Sequence, residues 1–303
     1  MNLPIPRALK RSFSPVEAYL HMLAAVGEDL LQAVTSDGQG DLFDLRDPTY
    51  IAQTLPALRV MSKAYFRADV TGLENIPAEG PVLLVGNHSG GTWIADTFVF
   101  AQEFYDFFGP ERPFHQLAHD LVFKMAGLRS LAQRYGTVPA SPENMHSALQ
   151  RDAALLVYPG GDHETFRPSW ESDKLDFAHR TGFIKLALEE GVPIVPVVAI
   201  GGQETALFLG RGQRLAKFLR LDKSMRLKVL PPVIGPPAGL AILDLPLRVP
   251  LPAKITIEVL PPIDLREQLG SKGDIGAGYD AVTSVMQDTL TKLGEERTLP
   301  VIG

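Results

Sequence analysis

The chain has 303 residues, enough for a sizeable buried core, with 45% hydrophobic and 21% charged residues. It contains no cysteine, which excludes a thiol nucleophile, a disulfide framework and a thiolate metal site. A net charge of −6 argues against nucleic acid as the main partner and leaves room for a local basic patch.

The first residues, MNLPIPRALKRSF, carry positive charges with no apolar segment behind them, so they do not read as a secretory signal. Residues 14–34 set Val16, Tyr19, Leu20, Leu23, Val26, Leu30 and Leu31 at helical spacing, with Ser14 as cap and Pro15 at the first position. The polar face of that helix holds Glu17, Glu28 and Asp29 and no basic residue, which suits core packing better than a membrane surface. We expect residues 1–68 to form an N-terminal helical extension and 69–303 an α/β domain.

From residue 69 the pattern changes to short Val, Leu and Ile runs bounded by Gly and Pro: VTGLENIP, PVLLVGN, DAALLVYPGG and GVPIVPVVAIGG. Helical patterns over 92–106, 116–134, 143–151 and 177–190 separate them. The fold class this implies is α/β, a mixed, mostly parallel sheet flanked by helices. LKVLPPVIGPP and ITIEVLPPIDL read as two later strands, and Asp280–Leu293 as a closing helix. No run approaches the roughly 18 apolar residues of a spanning helix. The expected location is cytoplasmic, with any membrane contact peripheral.

One strand end holds most of the chemistry. Val82–Asp96 reads VLLVGNHSGGTWIAD, and ligands of open α/β sheets sit where strands end. His88 at such a point is a candidate general base. Gly90 and Gly91 permit a reversal, and a helix from about Thr92 returns Asp96 alongside, to fix the tautomer and stabilise the imidazolium. The same glycines let backbone amides approach an oxyanion. A buried structural histidine on a tight turn fits these residues too.

Other patterns compete. Gly86–Gly90 is one residue away from a G-x-S-x-G elbow, so a serine hydrolase using Ser89 is a rival reading. His115 and His119 have the spacing of a zinc helix, but Gln116 stands where the catalytic Glu belongs. They are expected as surface histidines on a helix, and no metal site is expected. Phe208–Leu221 sets Arg211, Arg214, Lys217 and Arg220 among Leu209, Leu215, Phe218 and Leu219. That suits an anionic membrane interface and equally a helix packed on the core.

Asn87-His88 with its later aspartate, Tyr135–Ala140, Tyr158–Glu164 and Val192–Val197 resemble, in order, the four blocks of the glycerolipid acyltransferase family. The best-known members of that family acylate 1-acylglycerol-3-phosphate. The departures carry information. Trp93 occupies the family's aspartate place and Asp96 follows it; Ala140 and His163 replace arginines, and Gly160 replaces a glutamate. Losing both guanidinium forks weakens the case for a phosphate-bearing acceptor. His-Ser-Gly-Gly with Tyr-Pro-Gly-Gly-Asp-His-Glu is closer to the branch that acylates mono- or diacylglycerol or similar neutral alcohols.

The resemblance implies an acyltransferase-like α/β domain that moves a fatty acyl group from acyl-CoA or acyl carrier protein to a lipid hydroxyl. It implies no covalent acyl-enzyme, cofactor or metal. His88 would act as base and Asp96 would orient it. Asn87, Ser89, Gly90, Gly91, Gly160, Gly161, His163, Glu164 and Arg167 would line the substrate site. Lys124, Arg129 and Arg134 are candidates for the donor's phosphates. The displaced aspartate motivates a further reading, a non-catalytic lipid-binding relative.

Overall fold

A computed structural model describes residues 41–124, 126–220, 229–237, 239–242, 244, 248–270, 273–299 and 301. The helix expected over 14–34 lies outside the described residues. The first long element is helix α1 (Pro48–Val60), with Asp47 as its cap accepting the Tyr50 N–H at 2.9 Å.

The apolar runs become the strands of one sheet. In chain order they are β1 (Asp69–Thr71), β2 (Val82–Gly86), β3 (Phe114–Ala118), β4 (Thr137–Pro139), β5 (Ala154–Val157), β6 (Ile194–Ile200) and, after a small second sheet, β10 (Thr256–Val259). They lie in the order β1-β10-β6-β2-β5-β3-β4. All neighbours are parallel except β10 against β6. The expected mixed, mostly parallel architecture is the one observed.

Alternation along each strand splits the core in two. Leu83, Val85, Leu155, Val157 and Val198 face one layer, packed by helices α7 (Gly182–Glu190) and α9 (Ile275–Glu295) through Ile184, Val282 and Met286. Val82, Leu84, Leu156 and Val197 face the other, with Phe100 and Phe104 of helix α2 (Ala95–Phe108). Ile51 and Leu55 of α1 join this second layer, so the helical segment before residue 69 packs into the same core as the sheet. All five residues of β2 are buried, which explains its unbroken apolar sequence.

Two expected helices differ. The helical pattern over 116–134 splits into β3 followed by helices α3 (Asp120–Lys124) and α4 (Ala126–Arg134). His115 is therefore a buried strand residue, not a surface histidine on a helix. Its Nδ1 lies 2.9 Å from the Gly136 carbonyl and its ring meets Phe43 edge-on. The helix expected from 177 starts at Gly182 because Ala178 and His179 adopt positive φ and turn the chain first. Helix α5 (Pro142–Leu149), capped by Ser141, is close to its expected span, and α9 extends the closing helix back to Ile275, with Asp274 as its cap.

The two later strand runs part company. Thr256–Val259 joins the main sheet, whereas Val233–Gly235 (β8) pairs with β7 (Leu207–Phe208) and β9 (Gly239–Ala241) in the small antiparallel sheet.

Candidate active site

β2 ends at Gly86 in the middle of the sheet, and the loop beyond it turns back into α2. A Cβ at Gly86 would meet the Tyr158 ring at 2.6 Å; without one, Tyr158 lies under the loop and its ring stacks on His88, with centroids 4.2 Å apart and planes 17° apart. Gly90 and Gly91 take φ of +90° and +64°, the conformation that reverses the chain. The reversal brings Asp96, in the first turn of α2, to the imidazole. His88 Nδ1 and Asp96 Oδ2 are 3.4 Å apart, close enough to attract but not aligned as a hydrogen bond. Contacts of this kind commonly tighten only with substrate bound.

Asp96 is 1% exposed and fully engaged. Oδ2 accepts the Ser89 N–H at 2.8 Å and the Ser89 hydroxyl at 3.1 Å, and Oδ1 accepts the Thr97 N–H at 2.7 Å. Asn87 is buried too, and its amide pairs with both backbone groups of Ala199 on β6 at 2.7 and 2.8 Å. That double bond pins the loop to the neighbouring strand.

The backbone amides from His88 to Thr92 are all taken. His88 N–H donates to Glu164 Oε2, Ser89 N–H to Asp96, Gly90 N–H to Gln203 Oε1, Gly91 N–H to the Thr165 carbonyl and Thr92 N–H to Asp244 Oδ2. The expectation that amides over Ser89–Gly91 face an oxyanion therefore fails in this conformation. At the other glycine-rich strand end, beyond β5, Pro159 has no N–H and the Gly161 N–H donates to the Tyr158 carbonyl at 3.0 Å.

The third block folds directly against the first. Helix α6 (Gly161–Thr165) carries Glu164, fully buried, whose second oxygen accepts the Asp176 N–H at 3.1 Å. Burial pushes its carboxyl up to about 7, against the pull of Arg167 and the two amides. Tyr158 is pushed well above its ordinary range, first by burial and then by Asp96, so it stays a neutral phenol whose oxygen accepts from the Thr97 hydroxyl at 2.9 Å.

The comparisons with known proteins give the family and the fold. The family whose model matches residues 67–200 is described as Acyltransferase. An uncharacterized protein of Mycobacterium tuberculosis is 30% identical over 276 residues, covering 90% of this chain and 74% of that protein. The chain belongs to the acyltransferase family. The human DGAT1/2-independent enzyme synthesizing storage lipids is 30% identical over 151 residues, half of this chain and 45% of that enzyme. Phytyl ester synthase 2, chloroplastic, of Arabidopsis thaliana is 34% identical over 144 residues, 44% of this chain and 19% of that protein. The crystal structure of PlsC, the 1-acyl-sn-glycerophosphate acyltransferase from Thermotoga maritima, shares the fold with a TM-score of 0.52 at 16% identity. It covers 93% of this chain and 96% of that one.

Within this acyltransferase, the structure brings His88, Asp96, Ser89, Gly90, Gly91 and Glu164 into one cluster. Arg167 adjoins it, but not as a free cation. It is 1% exposed, and its guanidinium donates to the carbonyls of His88, Glu164, Glu171 and Ser172 at 2.7–3.1 Å. That spends its donors on tying the two loops together, so the expected role in meeting substrate gives way to a brace. His163 turns toward Asp176, its Nε2 2.7 Å from Oδ2, and Arg211 bonds both Asp176 and the His163 carbonyl. Gly160 and Gly161 make the turn into α6, where Arg180 donates to the Gly160 carbonyl and pairs with Asp162.

Sequence reasoning missed a second buried pair. Arg248 Nε donates to Asp244 Oδ1 at 2.7 Å, and its other nitrogens donate to the carbonyls of Thr205 and Gly90. Asp244 in turn holds the Thr92 amide. Neither residue sits in a recognisable motif, and each lies about 150 positions beyond the loop it supports. A cavity of about 360 Å³ lined by Leu175, Phe177, Tyr279 and Gln287 among others includes neither His88 nor Asp96. Among the described residues no helix is long and apolar enough to cross a membrane.

Proposed function

We propose that this acyltransferase moves a fatty acyl group from acyl-CoA or acyl carrier protein to the hydroxyl of a glycerolipid or related neutral lipid alcohol. The observation that carries the reading is the 3.4 Å approach of His88 Nδ1 to Asp96 Oδ2 at the end of the central strand. In the proposed mechanism Asp96 holds Nδ1–H, and Nε2 takes the proton of the acceptor hydroxyl. The acceptor oxygen adds to the thioester carbonyl. The tetrahedral intermediate then collapses to an ester and a thiolate, which recovers the proton from the imidazolium. The Gly160 amide, in the turn beyond β5, is the proposed oxyanion donor.

A neutral acceptor is supported by the state of the nearby guanidinium groups. Arg167, Arg180 and Arg211 are each held by carbonyls or carboxylates of the protein, and Ala140 and His163 stand where phosphate-binding arginines would be expected. The storage-lipid and phytyl-ester enzymes among the relatives point the same way. A serine hydrolase is disfavoured, because the Ser89 hydroxyl is buried and donates to Asp96 instead of to a histidine. The test is incubation with labelled palmitoyl-CoA and a panel of mono- and diacylglycerols, lysophospholipids and water. Ester formed on a neutral glycerolipid supports the reading. Product on lysophospholipid alone refutes the acceptor class, and free fatty acid alone refutes the transferase reading.

A further inference from the structure

The small sheet has two unlike faces. On the inner one Phe208, Val233 and Ala241 stand in register across the three strands. Phe208 and Val233 are buried, and a Cβ at Gly91 would meet the Phe208 ring at 2.7 Å. The sheet thus backs onto the His88 loop. On the outer face Leu207, Ile234 and Leu240 also stand in register, and they are 44%, 39% and 65% exposed. An outward row is where an antiparallel sheet normally carries polar side chains, so three apolar ones in line need a partner.

The face continues on both sides of β7. Beyond it the chain runs along Leu230–Pro232, joined by Leu209 N–H to the Pro232 carbonyl and Leu230 N–H to the Arg211 carbonyl. It then enters helix α8 (Gln213–Phe218), where Phe218 is 82% exposed. Before it, the Ser169 hydroxyl bonds the backbone of Ala206 and Phe208, which fixes the neighbouring Trp170, itself 64% exposed. Charge selects the occupant. In a chain of net charge −6, residues 207–220 hold four basic residues and no acidic one. Arg211 is turned inward to Asp176, while Arg214 and Lys217 are exposed beside Phe218. Apolar side chains mixed with cations and an exposed tryptophan suit an anionic lipid surface better than a second copy of an acidic chain.

We propose that this face docks the enzyme on an anionic bilayer. Leu207, Ile234, Leu240 and Phe218 enter the interface, Arg214 and Lys217 meet lipid phosphates, and the His88 loop behind the sheet is presented to acceptor lipid. The proposal rests on the lipid-acyltransferase reading for its purpose, but vesicle binding needs no turnover and is measured separately.

The experiment is co-sedimentation of the purified chain with phosphatidylcholine vesicles and with phosphatidylcholine–phosphatidylglycerol vesicles. Wild type should partition to the mixed vesicles. The double variant Arg214→Glu/Lys217→Glu should lose at least about 30-fold in partition to the mixed vesicles, and the triple variant Leu207→Glu/Ile234→Glu/Leu240→Glu should lose binding to both kinds. Both variants should melt like wild type and keep turnover on water-soluble short-chain substrates. Wild type left in the supernatant with either vesicle overturns the proposal, as does equal partition of wild type and both variants. A triple variant that changes oligomeric state without changing vesicle binding assigns the face to a second copy instead.

Discussion

Glu164 Oε2 accepts the backbone N–H of His88 at 2.9 Å. A buried carboxyl under the His88 loop makes stability depend on pH in a direction that can be worked out. Burial raises this carboxyl from 4.5 to about 7, so between those values the unfolded chain has released a proton that the folded chain keeps. Stability from this group is complete below pH 4.5 and is lost as pH rises toward 7, by about 3 kcal/mol in all. Urea unfolding of wild type and Glu164→Gln across that range checks it. The difference between the two should change with pH in that sense and level off above pH 7.

His115 works in the opposite sense. Burial lowers its pKa from 6.5 to about 4, so the folded chain keeps it neutral where the unfolded chain protonates. Its contribution is complete above pH 6.5 and is lost as pH falls to 4. His115→Gln should flatten the acid limb of the melting-temperature profile, whereas Glu164→Gln flattens the limb toward neutrality. If both substitutions changed the same limb, one of the two assignments would be wrong.

Ser89→Ala separates the transferase from a serine hydrolase. Its hydroxyl donates to Asp96 at 3.1 Å, a bond worth about 1 kcal/mol of stability. Turnover should stay within about tenfold of wild type, because the Ser89 N–H still holds Asp96. Complete loss, together with fluorophosphonate labelling of wild type at Ser89, would point to a serine nucleophile.

The Asp244–Arg248 pair makes the largest stability prediction. Both side chains are almost fully buried, and together they hold the Thr92 amide and the Gly90 carbonyl. Arg248→Met leaves an unpaired buried carboxylate and should cost about 3–5 kcal/mol by denaturant unfolding. Adding Asp244→Asn should recover part of that loss, since the two sites share one interaction. Strict additivity of the two would mean that they do not act as a pair.

The sheet was legible because its strands are apolar runs ended by Gly or Pro, and β2 and β6 show the continuous pattern of two-sided burial. His88 and Asp96 were legible because Gly90 and Gly91 announce a reversal between them. Sequence patterning misread 116–134, where the strand residues Phe114–Ala118 sit so close before two helices that one helical period seems to cover all three. It also over-assigned free chemistry to charged residues. Arg167 reads as a substrate cation until its four carbonyl partners are seen. Which amides of the loop are free for an oxyanion depends on Gln203, Thr165 and Asp244, and no local pattern encodes contacts at that sequence distance.

The most direct measurement is single-turnover acyl transfer from palmitoyl-CoA to monoacylglycerol by wild type, His88→Ala and Asp96→Asn, each confirmed folded by its thermal melt. If His88 is the base and Asp96 orients it, transfer should fall about 10³-fold in the first variant and about 10²-fold in the second. The pH dependence of the wild-type rate should change in His88→Ala. Transfer that survives His88→Ala with an unchanged pH profile would contradict the account.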